Sequence, residues 1–310
     1  MLFYYVSDNS VEMHDIKNRR IFLKRVKYPQ LSVKELFVGA SVTVYGRVLK
    51  LVDFGDDVTR GQFAKNEEAI VVVFGESLYQ CGDAVQELSN ADMRIINLRM
   101  ADATPTLRSA FGIDSRLIAV HVGGSGISEK VASFSKKFPE SIVITDTSDL
   151  IAVGTEVFTS APTTATMKNC AVCVIKPHAI GSGQGGAILQ RIFDEGFKVT
   201  ALGSFNLSGA DAEDFLEVYR GVVPEYKKLT EHMASAACWA MEVRAENAVA
   251  ALRAVCGPHD PDVCHVLFPH TLRSKFGSDR VLNGVHCTDL TEDGPLESEF
   301  FFDLMLRKPV

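Results

Sequence analysis

The sequence predicts an α/β (α+β) protein: two tandem copies of a ferredoxin-like split βαβ unit, the first degenerate, preceded by a small β-rich domain. Three observations carry this expectation. The first 66 residues read as short β-branched and aromatic runs. Two later stretches repeat one strand–helix–strand pattern, and the second continues in a β-α-β-α-α-β-α order.

The β-rich domain spans 1–66. LFYYV and VEMHD flank the turn residues Ser7-Asp8-Asn9-Ser10, and IFLKRVKY and SVTVYGRVLKLVDF follow. GQFAKNEE, 61–68, reads as a polar linker. The first copy, 67–160, opens with AIVVVFG at 69–75, which aligns with AVCVIKP at 171–177; MRIINLRM at 93–100 aligns with FKVTALGS at 197–204. About fifteen residues separate the second strand from LIAVHV in this copy, whereas two helices fit before CWAMEV in the other. The first copy therefore looks eroded.

TSAPTTATMKN, 159–169, separates the copies, and the second spans 170–310. Its strand Ala171 to Ile175 leads through a glycine-rich turn to a helix over 187–194 and a strand ending at Phe205. Ser208-x-x-Asp211 is a capping-box-like start for a helix carrying Phe215, Leu216 and Tyr219. A helix over 226–233, a strand through Cys238 to Met241, a helix over 247–256 and a last helix over about 295–302 complete the order.

Composition narrows the function classes. With 46% hydrophobic and 23% charged residues the chain reads as soluble and globular. No apolar run reaches the length of a membrane span, and MLFYYVSDNS lacks the marks of a signal peptide, so an intracellular protein without membrane partners is expected. The seven cysteines sit beside apolar residues, as free thiols of a core do. Cys170-Ala-Val-Cys173 falls inside an apolar strand with no second pair at zinc-site spacing, which sets metal binding by cysteine aside. A net charge of -7 argues against general nucleic-acid affinity. The basic stretch KNRRIFLKRVK, 17–27, reads equally as a solvated strand face and as a site for an acidic protein partner; nucleic acid ranks third, for want of stacking aromatics.

GSGQGG, 181–186, satisfies G-x-G-x-x-G after a strand and before a helix. A dinucleotide site needs an acidic residue at the end of the next strand, and that strand ends Gly203-Ser-Phe-Asn206. The glycines are read instead as shaping the entry to a helix. Lys176 ends an apolar strand, where an ammonium is costly unless it snorkels or faces an anion. Arg253, Arg273, Asn283 and His286 follow. His286 alone reads as a solvated loop histidine; a lysine, two arginines and a carboxylate around it make a phosphate-transfer set, in which cations clamp oxygens and the imidazole attacks phosphorus.

VIKP at 174–177, ALRAVCGP at 251–258, PHTLR ahead of Phe276-Gly277, and Asn283-x-x-His286-x-Thr288-Asp289 together resemble the nucleoside diphosphate kinase family over 170–303. The resemblance implies a ping-pong reaction: the γ-phosphate of ATP or another nucleoside triphosphate passes to His286 and then to a nucleoside diphosphate, with Mg2+ bridging phosphates and no protein side chain binding the metal. It implies that Lys176, Tyr219, Arg253 and Arg273 contact the phosphates or the histidine, that Asn283 reaches the sugar hydroxyl, and that Glu297 accepts from the other imidazole nitrogen. His259 stands where a threonine usually touches phosphate. Cys287 follows the histidine where glycine is usual, and RGVVPEYKKL, 220–229, lacks the family's arginine, second histidine and base-stacking phenylalanine. Residues 262–268 lengthen the loop before the site. Phe74 takes the lysine position in the first copy, where no N-x-x-H segment occurs between Ala103 and Thr159, so that copy is a scaffold without chemistry.

HCTDLTEDG, 286–294, with two unequal copies, is most similar to the family's member-seven subgroup of cilia and flagella. SVEMHDIKNRRIFLKRVKY with LFVGASVTVYGRVLKLVDFGD resembles the DM-ten domain of axonemal proteins. These likenesses imply residence in the cytoplasm, the cytoskeleton and the axoneme of the cilium or flagellum, and partners that include tubulin, other doublet proteins and the γ-tubulin ring complex. They leave two roles open: a kinase fixed to microtubules, or a structural microtubule inner protein that binds nucleotide statically or not at all. A tandem pair also implies a monomer with an internal pseudo-dimer in place of the family's hexamer.

Overall fold

The computed structural model describes all residues except 37–38, 57–58, 60–66, 125 and 309–310. Most of the expected linker at 61–68, with the boundary at 66, lies outside the described residues. The N-terminal part forms an antiparallel sheet of β1 (Leu2–Tyr5), β2 (Ser10–Asp15) and β3 (Arg20–Lys27), in that order, and a hairpin of β4 (Ser41–Val44) and β5 (Arg47–Lys50). Tyr45 and Gly46 close the hairpin at φ 50° and 73°, the left-handed pair that a two-residue turn needs to match strand twist. Val11, Met13, Tyr28, Val42 and Val44 form its core. The basic stretch runs through β3, which is largely exposed; Arg25 bonds Asp8 at 3.1 Å and lies 3.7 Å over the Tyr5 ring, so part of this charge is engaged locally.

The first copy contributes β6 (Glu67–Phe74), α1 (Cys81–Asn90), β7 (Arg94–Ala101), α2 (Pro105–Phe111), β8 (Leu117–Gly124), α3 (Ile127–Lys137), β9 (Ile142–Ile144) and α4 (Thr147–Gly154). The second opens with β10 (Ala171–Ile175), α5 (Pro177–Gly181), α6 (Gly185–Asp194) and β11 (Lys198–Phe205). It continues through α7 (Gly209–Phe215), α8 (Tyr226–Met233), β12 (Cys238–Arg244) and α9 (Ala248–Cys256). It ends in α10 (Pro261–Leu267), α11 (Leu272–Phe276), β13 (Val285–Cys287) and α12 (Asp293–Glu299).

All eight strands of the two copies join one antiparallel sheet, ordered β13-β10-β12-β11-β7-β8-β6-β9. Within each copy the spatial order is fourth, first, third, second, which is the split βαβ arrangement. The first copy keeps all four strands, so its erosion lies in a shorter connection, with α2 standing where the second copy places α7 and α8. Residues 262–268, read as loop, belong largely to α10, where Asp260 caps the helix by accepting from Asp262 N–H.

The copies meet through an isologous contact inside one chain. Gly186, Ala187 and Gln190 stand 104 positions after Gly82, Asp83 and Gln86. The Gln190 carboxamide accepts from Asp83 N–H at 3.0 Å, and that of Gln86 accepts from Ala187 N–H at 2.9 Å. Gln190 donates to the Tyr79 carbonyl and Gln86 to that of Gly183, each at 2.8 Å. The GSGQGG glycines therefore do more than open a helix: a Cβ on Gly186 would lie 2.4 Å from Gln86 N, and one on Gly185 2.5 Å from the Trp239 ring.

The same pairing shows what the first copy lost. Val174 pairs with His286 in the second copy, and its counterpart Val72 pairs with Ile142 in the first. An isoleucine thus occupies the histidine's place in register, as Phe74 occupies that of Lys176.

Candidate active site

β13 inserts beside β10 at the edge of the sheet and holds His286 in its middle, 6% exposed. His286 Nε2 lies 3.0 Å from a Glu297 carboxylate oxygen. An ionised carboxylate only accepts, so the neutral ring carries its proton on Nε2 and keeps a lone pair on Nδ1. Among the described residues Nδ1 has no hydrogen-bond partner. Phe215 meets the ring edge-on at 4.9 Å between centroids, and Tyr219 stands at 6.3 Å.

Glu297 is itself positioned. Thr288 donates to its other oxygen at 2.6 Å while accepting from Val172 N–H at 2.8 Å. Ser298, the next residue of α12, donates at 2.6 Å to Glu242, a fully buried carboxylate on β12 that also takes the N–H groups of Thr166 and Met167. The interdomain segment and α12 are therefore fastened to one charge, which satisfied hydrogen bonds keep below the ordinary carboxylate range against the cost of burial. Gly294 lets α12 approach: a Cβ there would sit 2.0 Å from the Cys170 carbonyl.

The cations line the other side. Lys176 caps α5, is 4% exposed, and donates from Nζ to the Val281 carbonyl at 3.0 Å. Burial, and then neighbouring Arg273, lower its pKa to about 7. Arg273 on α11 donates to the carbonyls of Gly257 at 2.5 Å and Val285 at 3.3 Å, and approaches Cys287 Sγ at 3.6 Å. Arg253 on α9 pairs with Asp289, and the Tyr219 hydroxyl donates to the same carboxylate. Asn283 is fully buried; its amide donates to the His259 carbonyl at 2.9 Å, and its Oδ1 has no partner among the described residues.

The structure thus brings His286, Glu297, Lys176, Tyr219, Arg253, Arg273, Asn283 and His259 to one end of the second copy. The resemblance implies that Arg273 contacts the phosphates or the histidine; its guanidinium also ties the segment after α9 to β13. The sequence reading passed over Asp289, which holds both Tyr219 and Arg253; the signal was present, since Asp289 ends the N-x-x-H-x-T-D run. Thr288 and Phe215 were likewise unassigned, because a hydroxyl and a ring of the core carry no signature in one sequence. All seven cysteines are buried free thiols, and the aligned pair Cys173 and Cys287 packs around Cys256 under the site.

Three histidines near the site are held neutral. Burial, aided by Lys176, lowers His178 to about 4 and His232 to about 3, while His259, exposed at the surface but with its ring partly desolvated beside Arg273, falls to about 4. Below the ordinary value of 6.5 the unfolded chain takes up protons that the folded chain refuses, so stability is full above that value and declines as pH falls toward 4. The melting temperature is expected to drop between pH 7 and pH 5, and less in a His178→Gln, His259→Asn double variant; a flat profile in the parent chain contradicts this.

Comparison with known proteins agrees with the geometry. A family profile described as nucleoside diphosphate kinase matches residues 169–305. "Nucleoside diphosphate kinase homolog 7" of Rattus norvegicus is 35% identical over 98% of this chain and 88% of its own length, and the Mus musculus protein of that name matches equally. The nucleoside diphosphate kinase of Aquifex aeolicus is 33% identical over 42% of this chain and 90% of its own length. With relatives aligned along nearly its whole length and the family's domain at residues 169–305, the chain belongs to the nucleoside diphosphate kinase family.

Proposed function

We propose that the second copy moves a γ-phosphate from a nucleoside triphosphate to a nucleoside diphosphate through a phosphohistidine at His286. The observation that carries this reading is the His286–Glu297 bond, which fixes the proton on Nε2 and leaves the Nδ1 lone pair for attack. Nδ1 forms a bond to the γ-phosphorus as the bond to the β–γ bridging oxygen breaks, and the diphosphate leaves; a second diphosphate reverses the steps. The proton stays on Nε2, hydrogen-bonded to Glu297, whose carboxylate balances the positive charge the ring gains. Lys176, Arg253, Tyr219 and Arg273 are assigned to the phosphates, Asn283 Oδ1 to a sugar hydroxyl, and His259 to a neutral donor role. Mg2+ enters with the nucleotide, whose phosphate oxygens hold it.

Purified chain given Mg2+, GDP and ATP labelled at the γ-phosphate is expected to form labelled GTP. No transfer under conditions where nucleotide binds contradicts the enzyme reading. An anion beside Lys176 also raises its pKa from about 7, so nucleotide binding near pH 8 is expected to take up a proton. Calorimetry in two buffers of unlike ionisation enthalpy checks this; identical heats contradict it.

We further propose that the chain works in the axoneme of cilia or flagella, on doublet microtubules, with tubulin and other doublet proteins as partners and the γ-tubulin ring complex as a cytoplasmic one. The support is the likeness of the N-terminal module to the DM-ten domain. The isologous contact between the copies supports a monomer with an internal pseudo-dimer. A purely structural role draws on the first copy, where Ile142 and Phe74 replace the histidine and lysine. Deletion of residues 1–66 is expected to abolish axonemal incorporation while His286→Ala still incorporates.

A further inference from the structure

We infer that His178 and His232, neither of them in the phosphate-transfer set above, form a positioning pair that clamps the Asn283–Gly284 turn and so sets the place of His286. The inference rests on the phosphotransfer reading for its consequence and on geometry for its existence. His178 Nε2 accepts the N–H of Gly284 at 3.2 Å, and its Nδ1 lies 2.9 Å from His232 Nε2. A ring nitrogen that accepts carries no proton, so neutral His178 holds its proton on Nδ1 and donates it to His232. A chain of hydrogen bonds thus runs from the turn before β13, through α5, into α8.

Gly284 is held from its other side as well, because its carbonyl accepts Lys176 N–H at 3.0 Å. Its φ of +82°, with Phe276 3.3 Å from where a Cβ would stand, leaves the turn little alternative geometry. Two residues later comes His286, in a strand of only three residues whose partner is β10, the strand that leads into Lys176. An error at Gly284 is therefore passed directly to the imidazole and to the ammonium beside it.

The groups facing the pair are Lys176, whose charge opposes protonation, and Asp279 and the Phe276 carbonyl, which favour it; burial and the lysine prevail. Both histidines also line a cleft of about 1200 Å3 between the N-terminal module and the sheet, with Trp239 and Leu282. The pair thus connects that cleft to the phosphate site.

The test uses the full chain as wild type, His178→Ala, His178→Gln and His232→Ala. It follows amide exchange at Gly284 and the single-turnover rate of phosphate transfer to His286. In His178→Ala, Gly284 is expected to exchange about tenfold faster, and transfer to slow about tenfold with nucleotide affinity within about twofold of wild type. His178→Gln, whose carbonyl oxygen can accept the same N–H, is expected to recover most of both, a rescue that a merely space-filling role does not predict. His232→Ala keeps the acceptor and is expected to lose less. Wild-type exchange at Gly284 in His178→Ala, or transfer at the wild-type rate, overturns the inference. If wild type itself transfers nothing, the phosphotransfer reading fails, and Gly284 exchange still decides whether the clamp exists.

Discussion

Alanine at Arg273 is expected to destabilise the chain by about 3 kcal/mol and to slow phosphate transfer about a hundredfold or more. The guanidinium satisfies the carbonyls of Gly257 and Val285 from a side chain that is 8% exposed. Removing it strands the buried Val285 carbonyl at a cost of about 1 to 3 kcal/mol, releases the half-buried Gly257 carbonyl, and opens a cavity under β13. The rate falls for a second reason, since Val285 adjoins His286 and a displacement of about 1 Å costs about a hundredfold. Arg273→Lys is expected to be almost as damaging, because a lysine cannot span both carbonyls with one planar fork. Urea unfolding and single-turnover labelling check both parts; full stability with lost transfer would instead place Arg273 on phosphate alone.

The second large effect lies far from the chemistry. Gly82→Ala puts a methyl 2.1 Å from the Gln190 backbone nitrogen, and Gly186→Ala puts one 2.4 Å from that of Gln86. Neither neighbour is a flexible side-chain end, so α1 and α6 must separate and both glutamine bonds to the opposite helix must lengthen. Each substitution is expected to cost about 3 kcal/mol, at the upper end for overpacking because backbone meets backbone. The pair together is expected to split unfolding into two transitions, as the copies lose their mutual support. An unchanged urea midpoint in either variant contradicts the close helix contact.

The tandem architecture was legible because strands announce themselves by apolar runs and the same runs recur; AIVVVFG and AVCVIKP repeat the pattern of an inner strand. Lys176, Arg253, Arg273, Asn283, His286 and Glu297 were legible as a family pattern, and the structure gathers them. The glutamine lock was not legible, since a glutamine on a helix surface looks like any solvated residue until a helix 104 positions away covers it. Residues 262–268 read as loop because seven residues give too short a period to recognise, and the Asp260 cap decides the matter locally. Asp289 and the His178–His232 pair were missed for a related reason: each acts through a partner brought close only by the sheet order.

The measurement that tests the account most directly is acid-labile phosphohistidine in the full chain after incubation with Mg2+ and ATP labelled at the γ-phosphate, mapped by mass spectrometry and chased with GDP. The account predicts label on His286 of wild type, discharged by GDP, and none in His286→Ala. Label that survives His286→Ala, or a wild type that binds nucleotide and is never labelled, would contradict it.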